Sequence, residues 1–117
     1  SLSFLNSKIE QMDLNYLSYC QKLELIDFRE NNIKEIDLAC LKSLKNLKIL
    51  RFSRNKKDFQ IKNLHYINGC EELIEVDLAG HGLSNINLNL FTKLKELTHI
   101  NVTGNKFTKN HKILNNN

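Results

Sequence analysis

The sequence predicts an α/β solenoid, a stack of short units in which a strand alternates with a helical turn. Three observations predict this fold class: an apolar spacing recurs after 24 residues, a second apolar group follows each copy, and asparagine stands at one position in several copies. Self-similarity with a period of about 20 to 50 residues is typical of repeat architectures. In such a stack each unit buries its apolar face only against its neighbours.

The first half of each unit has the pattern of a half-buried strand. Leu23, Ile26, Phe28, Asn31 and Ile33 follow the spacing L-x-x-L-x-L-x-x-N-x-L. Ile26 and Phe28 alternate with polar neighbours at a period of two, as they do in a strand that packs on a core by one face. The spacing returns at Leu47, Leu50, Phe52 and Asn55, at Leu73, Val76, Leu78 and Leu83, and at Leu97, Ile100, Val102, Asn105 and Phe107.

The second half of each unit carries apolar residues three positions apart with few helix breakers, as in 38–44 and 88–94. This pattern predicts short helices or 3₁₀ turns. The same set occurs near the start, at Ile9, Met12, Leu14, Leu17 and Cys20. We therefore expect a single domain over residues 1–117 with about five repeats, at 1–22 (partial), 23–46, 47–72, 73–96 and 97–117 (partial).

These positions resemble the leucine-rich repeat family over residues 2 to 107, and the 24-residue spacing is similar to that of its typical subclass. The resemblance implies a right-handed β-α/3₁₀ superhelix whose short, curved parallel sheet lines the concave face. It also implies a non-catalytic module that binds a protein or peptide partner on that face. Because fold alone does not dictate function, the candidate residues must carry the functional argument.

A column of asparagines is expected along the stack. Asn31, Asn55 and Asn105 share the ninth position of the spacing, and His81 takes it in another copy. Their side chains can bond backbone groups in the turn after the strand, where ladder pairing stops. For His81 we favour a structural replacement over a pH-sensitive or ligand-binding role, because one histidine alone does not make a site.

The strand residues that point away from the core form the candidate binding surface. Carried over by position from the family, this surface consists of three columns that cross the sheet. The candidate protein-binding residues are Leu25, Asp27, Arg29, Ile49, Arg51, Ser53, Glu75, Asp77, His99 and Asn101.

Two features of this surface leave alternatives open. Arg51 lies between Asp27 and Asp77 in one column, so we expect both carboxylates to approach its guanidinium, either as self-neutralisation or to bind a partner. Leu25 and Ile49 are large apolar residues at adjacent positions that should face water. They could form the apolar centre of a binding patch, be covered by sequence on the N-terminal side, or stand there by chance.

The motifs of enzymes and cofactor sites are absent from the sequence. It has no H-E-x-x-H, P-loop or G-x-G-x-x-G motif, so we expect no catalytic residue, cofactor or metal. Cys20, Cys40 and Cys70 lack the spacing of a zinc site or disulfide framework and are expected to be buried apolar residues. Three unpaired thiols favour a reducing, cytoplasmic location, although Asn101 begins a glycosylation sequon that would matter in a secretory setting.

The charge of the chain limits its partners. A net charge of +4 arises from 17 basic and 13 acidic residues of interspersed sign, so we expect no direct nucleic-acid contact. No apolar run has the length of a membrane span. Besides a protein-binding module, the sequence allows a structural role through end-to-end association, as a homodimer or part of a longer solenoid, and a ribonucleoprotein component held through a protein neighbour.

Overall fold

A computed structural model describes residues 1–56, 59–79 and 88–104 of the chain. Within these residues the strands are β1 (Leu2–Ser3), β2 (Leu25–Asp27), β3 (Glu35–Asp37), β4 (Ile49–Arg51), β5 (Gln60–Lys62), β6 (Glu75–Asp77) and β7 (His99–Asn101). Short 3₁₀ helices lie at Leu14–Tyr19, Ala39–Lys42, Leu64–Gly69 and Leu88–Phe91. Strand and helical turn thus alternate as the apolar pattern predicts.

The described strands build a parallel sheet of five strands in the order β1-β2-β4-β6-β7. Leu25 pairs with Ile49, Ile49 with Glu75, and Glu75 with His99, so the register advances by 24, 26 and 24 residues. The longer step follows the insertion after Asn55. Because the register follows the repeat, side chains at equivalent repeat positions stand beside one another on neighbouring strands.

The core lies on one side of this sheet and continues from coil to coil. Ile26 and Phe28 are fully buried, and their equivalents in later coils are Leu50, Phe52, Val76 and Leu78, also fully buried. The ring of Phe28 stacks between those of Phe4 and Phe52, with centroid distances of 5.6 and 5.8 Å. A ring of this size contributes about 1.5 to 3 kcal/mol when it leaves water, and the rings of neighbouring coils cover both faces of Phe28.

A second, two-stranded parallel sheet on the returning side was not expected from the sequence. β3 and β5 pair there, with Ile36 opposite Ile61. The Leu38 amide donates to the Lys62 carbonyl at 2.9 Å and extends the pairing. The three-residue apolar spacing of these segments predicts only the 3₁₀ turn. That spacing gives no sign of the short strand before the turn, because only one apolar residue of the strand faces the core.

Asn31 joins two consecutive turns through its side chain. Its oxygen accepts from the amides of Ser7 and Ile9 at 2.9 and 3.0 Å, and its amide nitrogen donates to the carbonyls of Phe4 and Phe28 at 2.7 and 3.0 Å. The residue is 4% exposed. These backbone groups lie where the strand ends and would otherwise lack partners.

Asn55 repeats this arrangement one coil later. It accepts from the Ile33 amide at 3.1 Å and donates to the carbonyls of Phe28 and Phe52 at 3.1 and 2.8 Å. The Phe28 carbonyl therefore accepts hydrogen bonds from two consecutive asparagines of the column. Two other members of the predicted column lie outside the described residues: His81 and Asn105.

The cysteines depart in part from expectation. Cys40 and Cys70 are buried, and burial raises the pKa of each thiol to about 11. Cys20 is exposed, so the prediction that it is a buried apolar residue is wrong. Its equivalent Leu44 is packed between two coils, whereas within the described chain Cys20 has a coil on only one side.

The asparagine bonds lead to a stability prediction. We expect Asn31→Ala to lower the free energy of unfolding by about 3 kcal/mol, because several buried backbone groups lose their partner at a cost of about 1 to 3 kcal/mol each. Urea denaturation measures this loss. The control is Asn32→Ala at the exposed neighbouring position, and equal losses in the two variants would contradict the bridging role of Asn31.

Candidate binding surface

The candidate residues stand in columns on the open face, by which we mean the side of the five-stranded sheet opposite the buried side chains. One column contains Leu25, Ile49, Glu75 and His99, and the next contains Asp27, Arg51, Asp77 and Asn101. Arg29 and Ser53 follow the strand ends, where the backbone ladder continues from the Phe28 amide to the Arg51 carbonyl and from the Glu30 amide to the Ser53 carbonyl. The register therefore brings these candidate residues onto one surface.

Exposure varies widely over the open face. Asp27 and Ser53 are buried, at 3% and 6% exposed, whereas His99 and Asn101 are exposed. Leu25 and Ile49 are partly buried, although the sequence predicts that they face water. Leu25 and Ile49 pair with each other across β2 and β4, and we call these two partly buried residues the apolar strip.

Two arginines are clamped by carboxylates of the same face. Arg29 donates from Nε and Nη2 to Asp27 at 2.9 and 2.8 Å. Arg51 donates from Nε and Nη2 to Glu75 at 2.5 and 3.0 Å, and its Nη1 lies 3.5 Å from Asp27. Two-pronged pairs of this kind are among the stronger protein hydrogen bonds, so both guanidinium groups are held in place.

The expectation that Asp27 and Asp77 both approach Arg51 is wrong for Asp77. Its carboxylate accepts instead from the Ser53 hydroxyl at 3.0 Å and from the Ala79 amide at 3.2 Å. Glu75 is one methylene longer and lies on the same neighbouring strand, so it reaches the guanidinium edge with both oxygens. The repeat register predicts which residues lie on neighbouring strands, but it does not predict which carboxylate the Arg51 guanidinium binds.

These contacts set the ionisation of two acids. Burial raises the pKa of Asp27, but hydrogen bonds from the Arg29 side chain and backbone outweigh it, and the net pKa lies below the usual range. The Arg51 hydrogen bonds lower the pKa of Glu75 more strongly than burial raises it. Both acids are therefore held as carboxylates at neutral pH.

A shallow groove of about 440 Å³ crosses the strand ends of the open face. Arg29, Ser53, Asp77 and Asn101 line it together with other groups, among them Glu30 and Arg54, which sequence reasoning missed. Glu30 and Arg54 pair at 2.7 Å. Their opposite charges at a separation of 24 residues are the signal that could have revealed them.

Within 1–56, 59–79 and 88–104, no group of three or more His, Cys, Asp or Glu side chains is placed to hold a metal ion. No helix in that part of the chain is long and apolar enough to cross a membrane.

Comparison with solved structures decides the fold. The chain is similar to an internalin (inlF) from Listeria monocytogenes, itself a leucine-rich repeat protein, with a TM-score of 0.67 at 19% identity. The likeness covers 84% of this chain and 26% of that one. The chain has a leucine-rich repeat fold. No protein-family model and no curated protein sequence matches it.

The leucine-rich repeat solenoid confirms the predicted fold class, with its parallel sheet and 3₁₀ turns. The chain spans about a quarter of the internalin that it resembles. The division of residues 1–117 into one domain of about five repeats stays a prediction.

The Asp27 contacts predict a pH-dependent contribution to stability. A carboxylate whose pKa is lowered by folding stabilises the protein above its unfolded pKa of about 3.9 and loses this contribution as the pH falls. We expect Asp27→Asn to cost about 2 kcal/mol at pH 7, with the difference from the parent shrinking below about pH 4. Urea unfolding of the variant and the parent, at pH 7 and below about pH 4, measures the difference in the free energy of unfolding.

The control for that measurement is Asp13→Asn. Asp13 is exposed and its side chain accepts from the Asn15 amide at the start of a 3₁₀ helix, a position where asparagine caps about as well. A difference between Asp27→Asn and the parent that stays constant with pH would show that the Arg29 pair does not stabilise the fold.

Proposed function

We propose that this chain is a non-catalytic interaction module that binds a protein or peptide partner on the open face of its sheet. The observation that carries the proposal is the apolar strip of Leu25 and Ile49 beside a charge network that is already ordered. An apolar centre with a polar border is the usual anatomy of a protein interface. The leucine-rich repeat fold, which is typically non-catalytic, supports the same conclusion.

The ordered charges also favour binding energetically. A long side chain that becomes fixed on binding costs about 0.5 to 1.5 kcal/mol. Arg29 and Arg51 are held by Asp27 and Glu75 before any partner arrives. Their border around the apolar strip is preorganised, and less of the interaction energy is lost to ordering.

The test is partner capture with a double variant, Leu25→Asp with Ile49→Asp. In the complex, the two new carboxylates would be buried in the interface without a group to pair with. We therefore expect the amount of each captured partner to fall at least about tenfold. Immobilised protein, a lysate of the source organism and quantitative mass spectrometry provide the measurement. Circular dichroism verifies that both variants remain folded.

The matched control is Ile74→Asp. Ile74 is 40% exposed and directly precedes β6, so Ile74→Asp places one new carboxylate outside the strip, half of the charge that the double variant adds. Proteins retained by the parent and by Ile74→Asp but not by the double variant are partners of the open face. Retention that is unchanged in the double variant would exclude this face as the binding surface.

A second candidate function is assembly through the N-terminal end of the stack. Phe4, Leu5 and Cys20 support it, because Phe4 is 38% exposed at the end of the stacked rings, Leu5 is 48% exposed and Cys20 is exposed. Exposed apolar side chains that lie together favour contact with another surface.

Light scattering over a range of concentrations tests assembly. If the ends pair, the apparent mass rises with concentration in the parent, and Phe4→Glu with Leu5→Glu keeps the chain monomeric. A monomer at every concentration would rule out self-association of this chain.

A further inference from the structure

The open face is acidic although the chain is basic. Its candidate residues include three carboxylates, Asp27, Glu75 and Asp77, against two guanidinium groups, Arg29 and Arg51, which gives a charge of −1 with neutral His99. The whole chain carries +4. The positive charge of this protein therefore lies mainly away from the surface proposed to bind a partner.

The excess negative charge of the open face belongs to one residue, Asp77. Both guanidinium groups direct their donors at Asp27 and Glu75. Among the ion pairs of the described residues none includes Asp77, and the hydrogen bonds that its carboxylate accepts from these residues come from the Ser53 hydroxyl and the Ala79 amide. A carboxylate offers about four lone-pair sites, so the described residues leave about two of those of Asp77 without a donor.

Asp77 is half-buried and lines the groove of the open face between Ser53 and Asn101. Leu5 and Ala79 line the same groove. Its two arginines already have carboxylate partners, Arg29 in Asp27 and Arg54 in Glu30. This combination suits a side chain with an aliphatic stem and a cationic head, because the stem can cover apolar surface while the head meets the carboxylate.

We propose that the partner is a protein or peptide segment that places a lysine or arginine side chain in this groove, paired with the Asp77 carboxylate. The inference rests on the proposed function and adds the chemistry of the partner. Complementary charge at an interface selects partners and suppresses those of like charge. An acidic segment would meet a net negative face whose two arginines are already engaged.

The experiment is a selection from a phage-displayed library of random short peptides on the intact chain. We expect the enriched peptides to share a lysine or arginine. The strongest is synthesised with that residue and with methionine in its place, and its affinity is measured on the parent and on Asp77→Asn. Asparagine is isosteric, and the Ser53 hydroxyl can donate to it or accept from it.

Each single change should weaken binding about tenfold, and the two together little more than either, because both remove the same ion pair. The control is Glu24→Gln, which removes an exposed carboxylate off the open face that pairs with Lys48 at 2.7 Å. We expect this variant to bind as the parent does.

The outcomes separate the two proposals. Selection that yields no basic peptides, or affinity that is unchanged in Asp77→Asn, overturns the inference. If binding then still depends on Leu25 and Ile49, the open face remains the interaction surface. Additive losses from the two changes would show that the basic residue binds elsewhere, and this result also overturns the pairing with Asp77.

Discussion

The apolar side chains of each coil are buried only because the coils on either side share them. A strand of three residues, such as Ile49–Arg51, cannot form a stable sheet or core by itself. Phe28 is buried because Phe4 and Phe52 lie against its two ring faces. This mutual burial sets the register of the strands, and the register sets which side chains meet on the opposite face of the sheet. The binding surface is thus a consequence of how the core is packed.

This dependence explains what the sequence could predict. Apolar spacing reveals the buried positions and their period, so the strands, the 3₁₀ turns and the columns of the open face follow from it. The two-residue insertion after Asn55 is absorbed in the same way. The chain runs two residues from Asn31 to Ile33 and four from Asn55 to Phe59, so the repeat spacing places Phe59 at the apolar site that Ile33 fills one coil earlier. Phe59 is buried there and stacks on Phe52.

The features that the sequence did not predict depend on side-chain length and on how closely segments approach one another, and the repeat period contains neither. Arg51 selects Glu75 over Asp77 because of side-chain length, and the pairing of β3 with β5 depends on how closely two returning segments approach. Cys20 occupies the same repeat position as buried Leu44, and only its place at one end of the described stack makes it exposed. A repeat pattern describes an average coil, whereas these features belong to particular ones.

The two-stranded sheet on the returning side has a further consequence for the order in which coils come apart. In a solenoid, stability is nearly a sum of terms for single units and for the contacts between neighbours. The pairing of β3 with β5 adds backbone hydrogen bonds to the contact between the second and third coils, beyond those of the main sheet. Among the described residues this contact alone has a second ladder of paired strands, so we expect it to open later than contacts joined by the main sheet only. Arg29 and its partner Asp27 lie on this pair of coils, whereas the Arg51 clamp reaches Glu75 on the next coil, so we expect the first clamp to outlast the second as the stack opens.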